Sequence, residues 1–235
     1  MKAIQIFAYG GPEVLQYGEL PTRALQAGEV RVKAEAIGVG KPDALVRKGI
    51  YRWQPPMPAI PGNELSGVVI EVAGNTSGDV KIGDRVLVSS RELTERGGCY
   101  AEEIIVPAQS IFQLPDSISF VDAVTLPNYQ LAGALLYESG IKPPKSLLVH
   151  GAAGGVAIAV LQLAQLDGIA VIGTVSSNQK KNFSELAGGK YIFNRNTEDI
   201  KQRVLEVTSG VGVDLVLDHV GGAEFSHNLS YLAPF

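Results

Sequence analysis

Between Ser146 and Ala157 the chain reads Ser-Leu-Leu-Val-His-Gly-Ala-Ala-Gly-Gly-Val-Ala. An apolar run of strand length gives way to glycines and alanines, and from Val156 to Leu166 apolar side chains recur at helical spacing. Small residues let the backbone approach a ligand. A helix that begins there offers unpaired N–H groups and the positive end of its dipole, which suits a phosphate. The spacing Gly151-x-x-Gly154-x-x-Ala157 is a variant of the dinucleotide-binding glycine pattern, with alanine where close helix packing admits glycine or alanine. Gly151, Ala152, Gly154, Gly155 and Val156 are therefore candidate pyrophosphate-binding residues. A buried strand-to-helix turn can carry the same glycines for packing alone, so the surrounding pattern decides.

The next strand sharpens the ligand. NAD selectivity normally needs a carboxylate about 20 residues beyond the glycine turn, where it takes the ribose hydroxyls. Between Asp167 and Glu185 this chain has no acid; the strand ends Thr174-Val175-Ser176-Ser177, followed by Lys180 and Lys181. Hydroxyls and ammonium groups match a 2′-phosphate dianion, so the expected cofactor is NADPH. Solvated lysines at a helix start are the bland alternative.

The elements that must position these residues fall into two stretches. Residues 1–118 read as β-rich, with short β-branched or alternating runs at Lys2–Phe7, Val14–Glu19, Val30–Ala36, Gly67–Val72, Arg85–Ser89 and Tyr100–Val106. Turns such as Gly10-Gly11-Pro12 and Ile82-Gly83-Asp84 separate them, which predicts a barrel-like β domain. A short helix is expected over Pro42–Lys48, followed by the irregular proline-rich stretch Pro55–Pro61. Residues 119–235 alternate: a helix over Phe120–Glu138 kinked at Pro127, then strands at Leu147–His150, Ile169–Thr174, Lys190–Phe193 and Asp214–Leu217. Helices are expected between them at Gly155–Leu166, Gln179–Leu186 and Thr197–Thr208, with another at Ala223–Leu232. Such alternation predicts an α/β domain with a parallel sheet. The sequence ends at Pro234-Phe235, where another parallel strand is expected to follow, so this domain reads as truncated.

Composition narrows the function classes. With 235 residues, 46% of them hydrophobic, the chain can bury one large or two modest cores, and a net charge of −4 supplies no basic stripe for nucleic acid. The absence of a charged-then-apolar leader or of an apolar run near membrane-spanning length gives a cytoplasmic expectation without membrane partners. The single Cys99 rules out an intrachain disulfide and a cysteine-rich zinc cluster, and it reads as a packing residue. His150, His219 and His227 all lie late in the chain and read as structural or surface residues. No Ser/His/Asp or Cys/His set supports covalent hydrolysis.

Motifs along the whole length carry a resemblance: Gly10-Gly11-Pro12-Glu13-Val14-Leu15, Asp43-x-x-x-Arg47-x-Gly49-x-Tyr51, Pro61-Gly62-x-Glu64-x-x-Gly67-x-Val69, Gly83-Asp84-Arg85-Val86, Thr197-Glu198-Asp199, Gly212-Val213-Asp214 and Asp218-x-Val220-Gly221-Gly222. With the glycine turn, the chain resembles the zinc-independent, quinone-oxidoreductase-like branch of the medium-chain dehydrogenase/reductase superfamily. The resemblance implies a GroES-like β domain over 1–118 and a Rossmann domain over 119–235, after which the family chain returns to the first domain. Where zinc-dependent relatives place a cysteine and a His-Glu pair, this chain has Gly40 and Asn63-Glu64, so no metal is expected. By resemblance, Ser176 and Lys180 grip the 2′-phosphate, and Arg195 stands where the family usually has tyrosine.

The implied reaction is hydride transfer from NADPH to a quinone or α,β-unsaturated carbonyl, the protein supplying orientation and a proton or hydrogen-bond donor. Tyr51 is the candidate donor, at the mouth of the cleft by resemblance; packing beside Trp53 and the proline loop is its alternative. Two departures bear on turnover: Gly40 replaces a usual Asn, and Leu131-Ala132-Gly133 lacks the hydroxyl of the family's Leu-Thr-Ala, with Asn128, Tyr129 and Gln130 nearby. Two other functions stay open. One is an enoyl-thioester reductase using Arg47, Lys48 and Arg52; the other is a nucleotide-binding scaffold without catalysis. Relatives often dimerise through the Rossmann sheet edge, which makes a homodimer the expected assembly.

Overall fold

The computed structural model describes residues 1–74, 79–138 and 144–234; Phe235, the last residue of the expected second domain, lies outside the described residues. The chain divides into two units, Met1–Pro127 and Asn128–Phe235.

The first unit is built from β1 (Lys2–Gln5), β2 (Gln16–Glu19), β3 (Glu29–Ile37), helix α1 (Lys41–Arg47), β4 (Glu64–Val72), β5 (Arg85–Ser89), β6 (Glu103–Pro107) and β7 (Ile111–Gln113). Five strands form an antiparallel sheet in the order β6-β3-β4-β5-β7, and β1 and β2 form a separate hairpin. Bridges Ala3–Ala101 and Ile6–Ala59 tie the hairpin strand to the rest. Alternation supplies the core. Val30 and Val32, Val86 and Val88, and Ile104 and Val106 are two residues apart, so each pair faces one side, where they meet Leu65, Val69 and Cys99. The β runs lie where the sequence places them, with shifted ends. The last strand, β7, is too short to carry a periodic signal.

Helix α2 (Phe120–Ala123) closes the first unit, and α3 (Leu126–Tyr137) leads into the second. The expected single kinked helix is thus two helices. The break falls before Pro127 because a proline, lacking an N–H and fixed in φ, fits the first turn of a helix better than its middle.

The second unit continues with β8 (Ser146–His150), α4 (Gly155–Leu166), β9 (Ala170–Val175), α5 (Asn178–Leu186), β10 (Tyr191–Asn194), α6 (Ile200–Val207) and β11 (Leu215–Leu217). All four strands are parallel, in the order β10-β9-β8-β11. Leu147, Leu148 and Val149 are wholly buried, as a strand covered on both faces requires. Helix α4 lays Ala157, Val160, Leu161 and Ala164 on the sheet at helical spacing, within one core that includes Ala132, Leu136, Leu147 and Val149. Ser177 and Asp199 cap α5 and α6 by accepting the backbone N–H groups of Lys180 and Gln202. The expected last helix is a 3-10 stretch over Gly222–Ser230.

Candidate functional site

In a parallel sheet, ligands bind beyond the carboxyl ends of the strands, where the strand order reverses. Here the reversal is at β8, flanked by β9 and β11, and the glycine turn leaves its end. Gly151 has φ +71°, in the left-handed region that glycine reaches at no steric cost. The Gly154 N–H donates to the Gly151 carbonyl at 2.8 Å, closing the turn, while the Ala152 N–H donates to the Thr174 carbonyl at 2.9 Å, tying it to β9. Ala152 is buried; Gly154 and Gly155 are exposed, so this backbone faces solvent at the start of α4. The first turn of α4 carries no acid. These features fit a pyrophosphate. Two close approaches fix the shape: a Cβ on Gly155 would lie 2.8 Å from Asn128 Nδ2, and one on Gly173 would lie 2.7 Å from both Ala152 Cβ and Ile192 Cδ1.

At the ends of β9 and β10 the chain gathers hydroxyl, amide and cationic groups. Lys180 Nζ donates to Ser176 Oγ at 3.1 Å. The pairing of Asn194 with Val175 is extended by the Arg195 N–H, which donates to the Val175 carbonyl at 3.0 Å. Arg195 therefore emerges beside Ser176. Lys181 is engaged elsewhere: its Nζ lies 3.4 Å from Glu198, whose other oxygen is 3.2 Å from Arg203 Nε. Glu198 also accepts the Asn194 N–H at 2.8 Å. Although burial opposes its charge, that hydrogen bond and the two cations hold Glu198 below the usual glutamate range. Glu198 is thus already ion-paired with Lys181 and Arg203, and among the described residues Lys180 and Arg195 have no carboxylate partner.

His150 takes a larger part than the sequence suggests. It is 1% exposed, with Nδ1 2.8 Å from Thr174 Oγ1 and Nε2 2.9 Å from Asn228 Oδ1. Asn228 Nδ2 donates to Asp218 Oδ2 at 3.0 Å, which orients the amide with its oxygen toward the ring. With the amide oxygen facing it, Nε2 is the ring nitrogen that donates to Asn228, while Nδ1 pairs with the Thr174 hydroxyl. Asp218 Oδ1 in turn accepts the N–H groups of Val220 and Gly221 at 2.8 and 2.7 Å. One relay thus joins β8, β9, the loop after β11 and the terminal 3-10 stretch, and Val220 lies within 3.4 Å of a Cβ placed on Gly151. A polar residue at the end of an otherwise apolar buried strand is the signal that could have found it.

The first unit holds a second polar cluster. Asp43 is buried; its Oδ2 accepts the Gly40 N–H at 2.7 Å and its Oδ1 accepts Asn63 Nδ2 at 2.5 Å. The Asn63 oxygen receives Ser90 Oγ at 3.2 Å. Glu64, the first residue of β4, is pushed up to about 7, chiefly by burial and then by the Asp43 charge, with Arg91 opposing. Burial, ahead of the Asp43 charge, likewise raises the Tyr100 hydroxyl. Tyr51 is half-buried and lines a cavity of about 10 Å³ with Asp43, Asn63, Trp53 and Arg96. That is room for one water molecule. Trp53 and Pro55, the packing neighbours expected for Tyr51, line this cavity together with Asp43.

Zinc does not fit this cluster. Gly40 has no donor side chain, and the Asn63 amide is committed to Asp43 and Ser90. Among the described residues no group of three or more His, Cys, Asp or Glu could hold a metal ion, and no helix is long and apolar enough to cross a membrane. Ala132, where the family hydroxyl is missing, is wholly enclosed in the second unit's core. His219 and His227 are exposed, the latter 4.0 Å from Glu224.

Comparison with known proteins agrees with this geometry. Residues 26–116 match the alcohol dehydrogenase GroES-like domain and residues 155–235 match the zinc-binding dehydrogenase domain. The chain is 30% identical to human quinone oxidoreductase over 99% of its own length and 70% of that protein. The solved structure of Escherichia coli quinone oxidoreductase complexed with NADPH is 33% identical, with a TM-score of 0.86 over 99% of this chain and 70% of that one. An NAD-dependent alcohol dehydrogenase structure, 30% identical over 99% of this chain and 75% of that one, reaches 0.88, so the fold does not choose the nucleotide. A β domain with a neutral amide where zinc relatives bind metal, a glycine turn at the switch point and these likenesses lead to one conclusion: the chain belongs to the quinone-oxidoreductase-like branch of the medium-chain dehydrogenase/reductase superfamily.

Proposed function

We propose that this protein binds NADPH and reduces a quinone or α,β-unsaturated carbonyl without zinc. The observation that carries the nucleotide choice is the Ser176–Lys180 pair at the end of β9 beside Arg195, with Glu198 already ion-paired to Lys181 and Arg203. A 2′-phosphate would be held by Ser176, Lys180 and Arg195, and the pyrophosphate by the backbone of Gly151, Ala152, Gly154, Gly155 and Val156. When bound, the reduced nicotinamide supplies the hydride, and the protein has to orient the acceptor and deliver a proton. Tyr51 is suited to proton delivery, because its hydroxyl has no hydrogen-bond partner among the described residues and it shares a cavity with the buried Asp43.

Dissociation constants for NADPH and NADH, with NADPH oxidation followed in the presence of 1,2-naphthoquinone, 9,10-phenanthrenequinone and crotonyl thioesters, test the reading. NADPH should bind about tenfold or more tightly than NADH, one charge-assisted contact being worth about that factor. Equal affinities refute the nucleotide choice. Tight NADPH binding with no oxidation by any acceptor refutes the reductase.

A further inference from the structure

We propose that Asn196 is a positioning residue for nucleotide choice, bracing the Ser176 turn against the Arg195 loop so that the groups facing the 2′-phosphate are held in place before it binds. The inference rests on the NADPH reading above and assigns a role to a residue that does not itself grip the phosphate.

The parallel ladder between β9 and β10 ends at Val175 and Asn194, and the Arg195 N–H to the Val175 carbonyl is its last backbone bond. Beyond it the two chains separate into turns, and the next carbonyl on the β9 side, that of Ser176, has no strand partner. Asn196 supplies one: its Nδ2 donates to the Ser176 carbonyl at 2.9 Å. Asn196 is held in turn, because its own N–H donates to Asn194 Oδ1 at 3.2 Å. Asn194 is buried, and its Nδ2 donates to Asn178 Oδ1 at 2.9 Å, at the first residue of α5. Two side-chain amides therefore stitch the β10 loop to both sides of the Ser176-Ser177 turn. The hydroxyl of Ser176, met by Lys180 Nζ, hangs from the carbonyl-bonded residue itself. Without the stitch, Ser176 and Arg195 would have to be ordered by the ligand, and that ordering entropy would be subtracted from binding.

The pyrophosphate site hangs on β8 and α4, so a defect at Asn196 should be felt through the 2′-phosphate alone. Calorimetric titration of 2′,5′-ADP and 5′-AMP into the parent chain, Asn196→Ala and Asn196→Asp isolates that phosphate as a ratio of dissociation constants. The parent should favour 2′,5′-ADP. Asn196→Ala should narrow the ratio about fivefold, the worth of a lost hydrogen bond, with 5′-AMP unchanged. Asn196→Asp, which meets the Ser176 carbonyl with a second acceptor and adds a negative charge, should narrow it further. An unchanged ratio in Asn196→Ala, or equal weakening of both ligands, overturns the positioning role while leaving the NADPH reading intact. A parent chain with no preference for 2′,5′-ADP overturns both.

Discussion

Replacing Glu64 by Gln should flatten the pH dependence of stability in the first unit. The carboxyl is half-buried at the start of β4, where removal from water, then the charge of Asp43, raises it from 4.5 to about 7, with Arg91 opposing. At 1.36 kcal/mol per tenfold change in proton affinity, that shift would be worth about 3.4 kcal/mol in a sealed site. Glu64 is not sealed, and solvent screening reduces the figure to about 1–2 kcal/mol. The direction follows from the protons bound. Between pH 4.5 and 7 the folded chain holds a proton that the unfolded chain has released, so this contribution is complete below pH 4.5 and lost as pH rises through about 7. Glutamine cannot titrate and should not show the loss. Trp53, the single tryptophan, lies in the same unit and reports its unfolding. Urea titrations followed by tryptophan fluorescence at pH 5 and pH 8 should show Glu64→Gln gaining about 1–2 kcal/mol on the parent between the two conditions. The Asp43–Glu64 repulsion is present only in the parent, so it is part of the difference that the comparison reads. Parallel profiles for parent and variant would refute the burial-and-Asp43 account.

Other perturbations follow from packing. Gly173→Ala forces a methyl to within 2.7 Å of Ala152 and Ile192, and should destabilise the second unit by about 1–3 kcal/mol in chemical denaturation. His150→Leu leaves Asn228 Oδ1 without its buried donor and should cost about 2–4 kcal/mol; the variant should also lose amide-exchange protection at Val220 and Gly221, whose N–H groups Asp218 holds. Cys99 is wholly enclosed, and burial pushes its thiol up, so it should resist an aromatic disulfide reagent at pH 8 in the native chain and react on denaturation.

Much of the architecture was legible because it rests on local signals. The expected helix Gly155–Leu166 is α4 to the residue: glycines stop the strand, and the apolar spacing starts the helix. Strand β5 is likewise where the alternation of Arg85–Ser89 places it. Boundaries moved where tertiary pairing overrode the run of residue types. Strand β4 starts at Glu64 rather than Gly67 because Glu64 and Leu65 find partners in Ser89 and Val88 on β5, which no local pattern announces. The final segment became a 3-10 stretch whose Asn228 is taken by His150 and Asp218.

Residue types and their spacing along the chain determined the alternating second unit, the glycine turn and the lack of an acid after β9, since each is a property of neighbours in sequence. Only the tertiary structure decided which charges are available. Lys180 and Lys181 are adjacent and alike in sequence, yet one meets Ser176 and the other Glu198, because successive residues of a helix point about 100° apart and β10 brings Glu198 under only one of them. In the same way, parallel pairing set His150 against Thr174 and Asn196 against Ser176, contacts across 24 and 20 residues that no short-range periodicity encodes.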